Sequence, residues 1–350
     1  MKKIRSLEVL RAVSALLVIL FHIQTVFGLQ GGRAPLASVF YGAHRGVDLF
    51  FVLSGFIIAY VHGDDLGRPD RLKTYLFNRV ARLYPAVWIM TALAFLVYMA
   101  GFGGPDKASK LVASSVVASA LLLPQQGVPL VNVTWTLTYE VFFYALFAVL
   151  IVNVRIGLFL LLAWQAAVLA FAVMEVDIGL AGYYLRTICL DFGVGLACAW
   201  WVRRMTPGAS RPAIWFPLLV AGMASFIYGM DIDGRSDAAG VLCALGAGLV
   251  IVSLVRLEET GHLRVPSFLV AIGGASYAIY LVHYAVIQLL SAVLRRMGVP
   301  ITDLLCVAYV VVGISAGLAF DRWIDKPLQS RLRRLKSLYL EPPKTVGAKV

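Results

Sequence analysis

The residues of this 350-residue chain whose types and spacing could do chemistry lie in or beside apolar runs. Arg11 and His22 stand eleven positions apart. On an α-helix that is close to three turns, so both side chains leave one face, about 16 Å apart along the axis. An imidazole there can serve as a general base near neutral pH, and a guanidinium can hold an anion. Asp48, in GVDLFFVLSGF, and Glu140, in TWTLTYEVFFY, are carboxylates of the kind that fix an imidazole tautomer and stabilise its protonated form. Arg79 and Arg82, in RVARLYP, are three apart on one helix face, a pair of forks suited to phosphates. Tyr280 and His283, in SYAIYLVH, share a face as well, and Trp135 opens the Glu140 segment. Each group also has a structural reading. Arg11 can pair with Glu8, Asp48 can cap a helix, Arg79 and Arg82 can anchor an interface, and the tyrosines and histidines can bond neighbouring helices.

The elements that must position these groups follow from composition. The chain is 60% hydrophobic and 14% charged, with a mean hydropathy of +0.83. A soluble domain is closer to half apolar and a quarter charged, so the composition indicates a polytopic membrane protein and excludes disorder, collagen and a small disulfide scaffold. The net charge of +12 would suggest nucleic acid in a soluble protein, but between apolar spans it reads as the positive-inside pattern, and no nucleic-acid partner is expected. Cys189, Cys198, Cys243 and Cys306 sit inside apolar runs without CxxC or Cys/His spacing, so they read as packing residues and no metal site is expected. The opening MKKIRSLEVLRAVSALLVILFH imitates a signal peptide, but no small-residue cleavage site follows it directly, which favours a retained first span.

Long, nearly uncharged windows predict ten membrane helices, over Leu7–Gly28, Arg45–Val61, Arg82–Gly101, Trp135–Asn153, Ile156–Met174, Tyr184–Val202, Ala213–Met230, Ala238–Arg256, Phe268–Ala292 and Thr302–Trp323. The window Leu111–Leu123 is short for a span and reads as re-entrant or interfacial. With ten crossings, the connections on one side collect Lys2, Lys3, Arg5, the run Arg68–Arg82, Arg203, Arg204, Arg211 and the tail to Lys349, while the other side holds Arg33, Lys107, Lys110, Arg235, Arg295 and Arg296. Both termini are then cytoplasmic. The expected architecture is an all-α bundle of about ten transmembrane helices over residues 1–325, with a basic cytoplasmic tail over 326–350. In that topology Arg11, Arg79 and Arg82 lie toward the cytosol, and His22, Asp48, Glu140 and His283 lie in the outer half, with His22 expected to meet Asp48. Asp191 within the sixth window, and Asp321, Arg322 and Asp325 at the end of the tenth, complete the inventory, the last three as a local ion-pair cluster.

The five segments LEVLRAVSALLVILFH, GVDLFFVLSGF, RVARLYP, TWTLTYEVFFY and SYAIYLVH, in this order on a ten-span chain, resemble the acyltransferase 3 family of integral membrane acyltransferases, most of all its exopolysaccharide-production, O-acetylase-like members. The resemblance implies transfer of an acyl group, usually acetyl from acetyl-CoA, to a hydroxyl of an extracytoplasmic or lipid-linked glycan in the bacterial inner membrane. It places Arg11 and His22 at the first-span motif, Arg79 and Arg82 at the basic segment, and Asp48 and Glu140 at the acidic positions. Longer members append an extracytoplasmic esterase-like domain; here a short basic tail follows the last span, and no such domain is expected.

That chemistry suits the residues. A sugar hydroxyl needs a general base, for which His22 is best placed, with Asp48 or Glu140 orienting it. Arg79 and Arg82 would hold the CoA phosphates, and Arg11, Tyr280 or His283 could donate to the oxyanion. Neither a GxSxG elbow nor a suitable Cys nucleophile is present, which favours direct transfer and leaves an acetyl-histidine intermediate open. Two other readings share these residues: a proton-coupled secondary transporter using the histidines and carboxylates as a relay, and a non-catalytic polysaccharide export or assembly subunit. The oligomeric state is not legible.

Overall fold

The computed structural model describes residues 4–29, 40–102, 106–174, 179–206, 212–232, 236–299 and 302–339. The expected charges at Lys2, Lys3, Arg33, Arg211 and Arg235, and the tail beyond Tyr339, lie outside them. The described residues contain helices and no strand. They are α1 (Arg5–Leu29), α2 (Gly46–His62), α3 (Leu72–Met99), α4 (Lys107–Lys110), α5 (Ala113–Leu121), α6 (Trp135–Val152), α7 (Val154–Met174), α8 (Leu190–Arg204), α9 (Pro212–Asp231), α10 (Asp237–Glu259), α11 (Ser267–Gly274), α12 (Ser276–Arg296), α13 (Asp303–Phe320) and α14 (Lys326–Tyr339). Ten helical segments among them are long and apolar enough to cross a bilayer, and they coincide with the ten windows. If all ten cross, the start of α1 and the end of α13 lie on one side, here called the end face.

Three departures from the windows bear on the site. The third helix begins at Leu72 and runs unbroken through Pro85, so Arg79 and Arg82 sit two to three turns inside it and not at its mouth. The ninth window is not one helix. It breaks after Gly274, because α1 packs so closely that a Cβ on Gly273 would stand 1.8 Å from the Glu8 carbonyl oxygen. The Leu111–Leu123 window forms only the nine-residue α5, too short to cross; it ends at Leu122 in the left-handed region (φ 56°) and is tied to α3 by Tyr84 and Trp88, which donate to the Leu121 and Ala120 carbonyls at 3.1 and 2.9 Å. Beside it Lys110 is buried, which lowers its pKa from the ordinary lysine value, and Tyr98 lies under its ammonium.

Helix α1 is the central element. Leu7 and Leu10 enter one buried apolar cluster with α2, α8 and α10; Ala15 and Ile19 enter a second with α12 and α13; Val18 joins the largest, built from α2, α3, α6, α7 and α12. Lipid offers no hydrophobic drive between helices, so the close pairs rely on small residues that let backbones touch. The α2–α8 pair shows this. A Cβ on Gly195 would stand 2.1 Å from the Val52 carbonyl oxygen, and one on Gly55 would stand 2.3 Å from that of Phe192.

This contact sets a test. Gly195→Ala should lower the thermal midpoint of the purified protein in detergent, by an overpacking cost of about 1–3 kcal/mol. Gly274→Ala, which meets nothing within 4 Å, should leave the midpoint unchanged. Equal midpoints would show that the α2–α8 contact relaxes freely.

Candidate active site

Two helices that carry candidate residues start inside the bundle. Helix α12 begins behind the break at Gly274, and α6 begins behind a buried 3-10 turn over Asn132–Thr134. Their heads meet. Tyr280 on α12 donates to the Val133 carbonyl at 2.9 Å, and its hydroxyl lies 2.8 Å from the Thr136 hydroxyl. Unpaired backbone is tolerated at membrane depth only where protein or a cavity receives it, and here both do.

Beside this junction is a narrow cavity of about 160 Å³. Arg11, Arg79, Arg82, Glu140, Tyr144 and Tyr280 line it, with apolar residues of α2. Glu140 therefore stands with the arginines, not at a separate outer level, because the buried turn before Trp135 starts α6 below the surface. Its Oε1 accepts from Ser54 at 3.1 Å and from the Tyr144 hydroxyl. Arg11 pairs with Glu8 at 3.4 Å, as its spacing suggests. Arg82 lies over the Tyr277 ring at 4.7 Å and pairs with Asp325 at 3.4 Å. That pairing corrects the expected local cluster: a π-helical turn over Asp321–Asp325 swings Asp325 toward α3, Asp321 pairs with Lys326 at 2.6 Å, and Arg322 is exposed. Arg79 has no carboxylate partner among the described residues. Its guanidinium lies 5.5 Å from the centre of the Tyr144 ring and 5.7 Å from that of Tyr75, and its buried Nε has no hydrogen-bond partner. With Glu8 behind Arg11 and Asp325 behind Arg82, Arg79 is the least compensated charge on the cavity wall.

The two histidines are partners, 2.9 Å apart from His283 Nε2 to His22 Nδ1. Each Nδ1 also faces a carbonyl, His22 that of Val18 at 3.0 Å and His283 that of Ile279 at 3.1 Å. A carbonyl can only accept, so both Nδ1 atoms carry hydrogen. His283 Nε2 is then a bare acceptor, and His22 Nδ1–H is shared between it and Val18. The one lone pair left over is on Nε2 of His22, which is half-buried, whereas His283 is fully buried. Neither histidine is among the residues that line the narrow cavity; the His283 ring lies 5.9 Å from that of Tyr280, which does line it.

The expectation that Asp48 meets His22 is not met. Asp48 is buried in an ion pair with Arg45 at 3.1 Å, one helical turn back, while the hydrogen bonds of His22 go to Val18 and His283. The reason is rotational: the α1 face that carries His22 packs on α12, and Asp48 points away toward α8 and α10. Arg45, Asp48, Trp135 and Asp191 line a second, wider cavity of about 760 Å³ at the face opposite the chain ends. Arg45 and Asp191 had no role assigned from sequence. The Arg45–Asp48 spacing of three was the available signal, and nothing local announces that α8 delivers Asp191 beside them. Among the described residues no group of three or more His, Cys, Asp or Glu side chains is placed to hold a metal ion.

The acyltransferase domain model of the acyltransferase 3 family matches residues 4–320. The exopolysaccharide production protein ExoZ of Rhizobium meliloti is 28% identical over 305 residues, covering 82% of this chain and 90% of that protein. The acyltransferase MdmB of Streptomyces mycarofaciens is 27% identical over 391 residues, covering 97% of this chain and 95% of its own. The peptidoglycan O-acetyltransferase OatA of Listeria monocytogenes is 25% identical over 343 residues, which cover 84% of this chain but 51% of that longer protein. No solved structure matches the chain. A family match over nearly the whole length decides between the enzyme and transporter readings: the protein belongs to the acyltransferase 3 family and is a multi-pass membrane acyltransferase.

Proposed function

We propose that this protein moves an acetyl or other short acyl group from acyl-CoA to a hydroxyl of an extracytoplasmic or lipid-linked glycan, an exopolysaccharide precursor being the acceptor that the likeness to ExoZ favours. In this reading it sits in the bacterial inner membrane with both ends in the cytoplasm, residues 1–325 forming the membrane domain and 326–350 a basic tail that begins with α14. The excess of Lys and Arg on the end face supports that orientation. The observation that carries the proposal is the His22–His283 hydrogen bond, because it leaves one imidazole lone pair free on the half-buried partner.

Acyl-CoA is an anion with a long, thin pantetheine arm. The narrow cavity is smaller than the 300–1,000 Å³ usual for whole ligands, so it takes the acyl-thioester end, and the nucleotide stays outside. Arg79 and Arg82 draw the phosphates to its mouth, and Arg11 adds to the positive field. The acceptor arrives from the opposite face. His22 Nε2 takes the hydroxyl proton as the oxygen attacks the thioester carbon. The tetrahedral oxyanion collapses, the C–S bond breaks, and the proton on Nε2 passes to the CoA sulfur. His283 holds the imidazole in the required tautomer and accepts from Nδ1–H as charge develops on the ring, a task that carboxylates perform in hydrolase triads. Tyr280, which lines the narrow cavity and whose ring lies beside His283, is the candidate donor to the oxyanion.

The test uses purified protein in nanodiscs, radiolabelled acetyl-CoA and a crude pool of lipid-linked and polymeric glycans. The expected result is acceptor-dependent CoA release with label in base-labile esters, which His22→Ala reduces by about 10²–10⁴-fold, the usual worth of a general base. His283→Ala should lower kcat while the KM for acetyl-CoA holds, and His283→Gln, which restores an acceptor for Nδ1–H, should recover part of the loss. Arg79→Ala should raise the KM for acetyl-CoA by about tenfold or more, as expected for removing a charged hydrogen-bond donor to phosphate. Absence of CoA release with every acceptor fraction would overturn the proposal.

A further inference from the structure

The wide cavity at the face opposite the chain ends is not used by any step above except as a direction of approach, and its composition differs from that of the narrow one. Its floor is the buried Arg45–Asp48 pair with Asp191 next to it, close enough for the three to interact electrostatically. Arg45 Nη2 donates to the Ser236 carbonyl at 2.9 Å, and Gly240 leaves room for the guanidinium, since a Cβ there would stand 2.9 Å from Nη1. Two polar atoms in this floor have no hydrogen-bond partner: Asp191 Oδ2, on a side chain 2% exposed, and Arg45 Nε, on one 8% exposed. Such orphans in a native protein call for an explanation, and here one wants a donor and the other an acceptor. The wall carries the half-buried Trp135, with Tyr139 one turn on along α6 buried against Tyr183, and the rim carries Arg186, Thr187 and Asp237.

We infer that this cavity is the acceptor site and that its ligand is the non-reducing or modified end of an uncharged oligosaccharide. The inference rests on the acyltransferase reading and names the substrate class at its outer entrance. The charges decide the class. Arg45 and Arg186 stand against Asp48, Asp191 and Asp237, so the lining holds no excess of positive charge to draw a phosphate or carboxylate. A polyol has what the floor lacks: hydroxyl groups that donate to Asp191 Oδ2 and accept from Arg45 Nε, and C–H faces that lie on Trp135. At about 760 Å³ the cavity has the size of a ligand site and exceeds the narrow one severalfold. The two are back to back. On α2, Val47 faces the narrow cavity and Asp48 the wide one; on α6, Thr136 and Glu140 face the narrow cavity, Trp135 and Tyr139 the wide one. Two helices, α2 and α6, thus wall both cavities.

The experiment measures transfer by the full-length protein in nanodiscs, with acetyl-CoA and the glycan pool varied separately, for wild type, Asp191→Asn, Arg186→Ala and the cavity-filling Thr187→Trp. Arg186 is exposed and Thr187 half-buried, so the last two variants keep the test valid if the buried Asp191 substitution unfolds. The expected result is that the KM for glycan rises about tenfold in each folded variant, the loss of one hydrogen bond to a charged group or of the space for a ring, with CoA binding unchanged. An unchanged glycan KM in both Arg186→Ala and Thr187→Trp would overturn the acceptor site while leaving the acyltransferase reading intact. Wild-type protein that binds CoA yet transfers to no glycan fraction would instead overturn both. A tighter response to free glycan phosphates than to neutral oligosaccharides would sink the uncharged-ligand assignment.

Discussion

A charge taken out of water inside a bilayer must find a partner or a cavity, and the placement of every polar group in this bundle follows from how that requirement is met. Asp48 is neutralised by Arg45, Arg82 by Asp325 and by the Tyr277 ring, and Arg11 in part by Glu8. What is left unneutralised is more informative than what is paired. Arg79 keeps a cation free at the narrow cavity, and Asp191 keeps an oxygen free at the wide one. The protein thus holds unlike deficits at two neighbouring places, one suited to an anion and one to hydroxyl groups.

Broken helices make this arrangement possible. A continuous ninth helix would carry Tyr280 past the head of α6, and a surface start for α6 would hold Glu140 away from the arginines. The close approach of α1 to Gly273 and the buried turn at Asn132–Thr134 bring both heads to mid-bundle, where Tyr280 closes the gap by bonding to Val133 and Thr136. The same central α1 carries Arg11 to one side of this junction and His22 to the other, and it reaches all three apolar clusters. A rigid central helix is a sound mount for a proposed base, since its position is fixed by packing on several sides at once.

The use of a second histidine in place of a carboxylate behind His22 has a physical consequence. A neutral imidazole fixes the tautomer as well as a carboxylate does, but it adds no negative charge at membrane depth, where an uncompensated anion would be expensive. It also stabilises a protonated His22 less than an anion would. The scheme therefore relies on short-lived proton storage on Nε2 rather than on a standing imidazolium.

The number of spans, the helical class and the family were legible in the sequence because they depend on local quantities: runs of apolar residues as long as a bilayer is thick, and short motifs read in order. The identity of most candidate groups was legible for the same reason, since a charge or histidine in an apolar run stands out wherever it is. The partners were not. Whether His22 faces Asp48 or His283, whether Asp325 reaches Arg322 or Arg82, and whether Glu140 shares a cavity with Arg79 depend on helix rotation, on a break at Gly274 and on one π-helical turn. Those are settled by contacts between segments distant in sequence, such as Gly273 against Glu8 and Gly195 against Val52, and only the folded bundle brings them together.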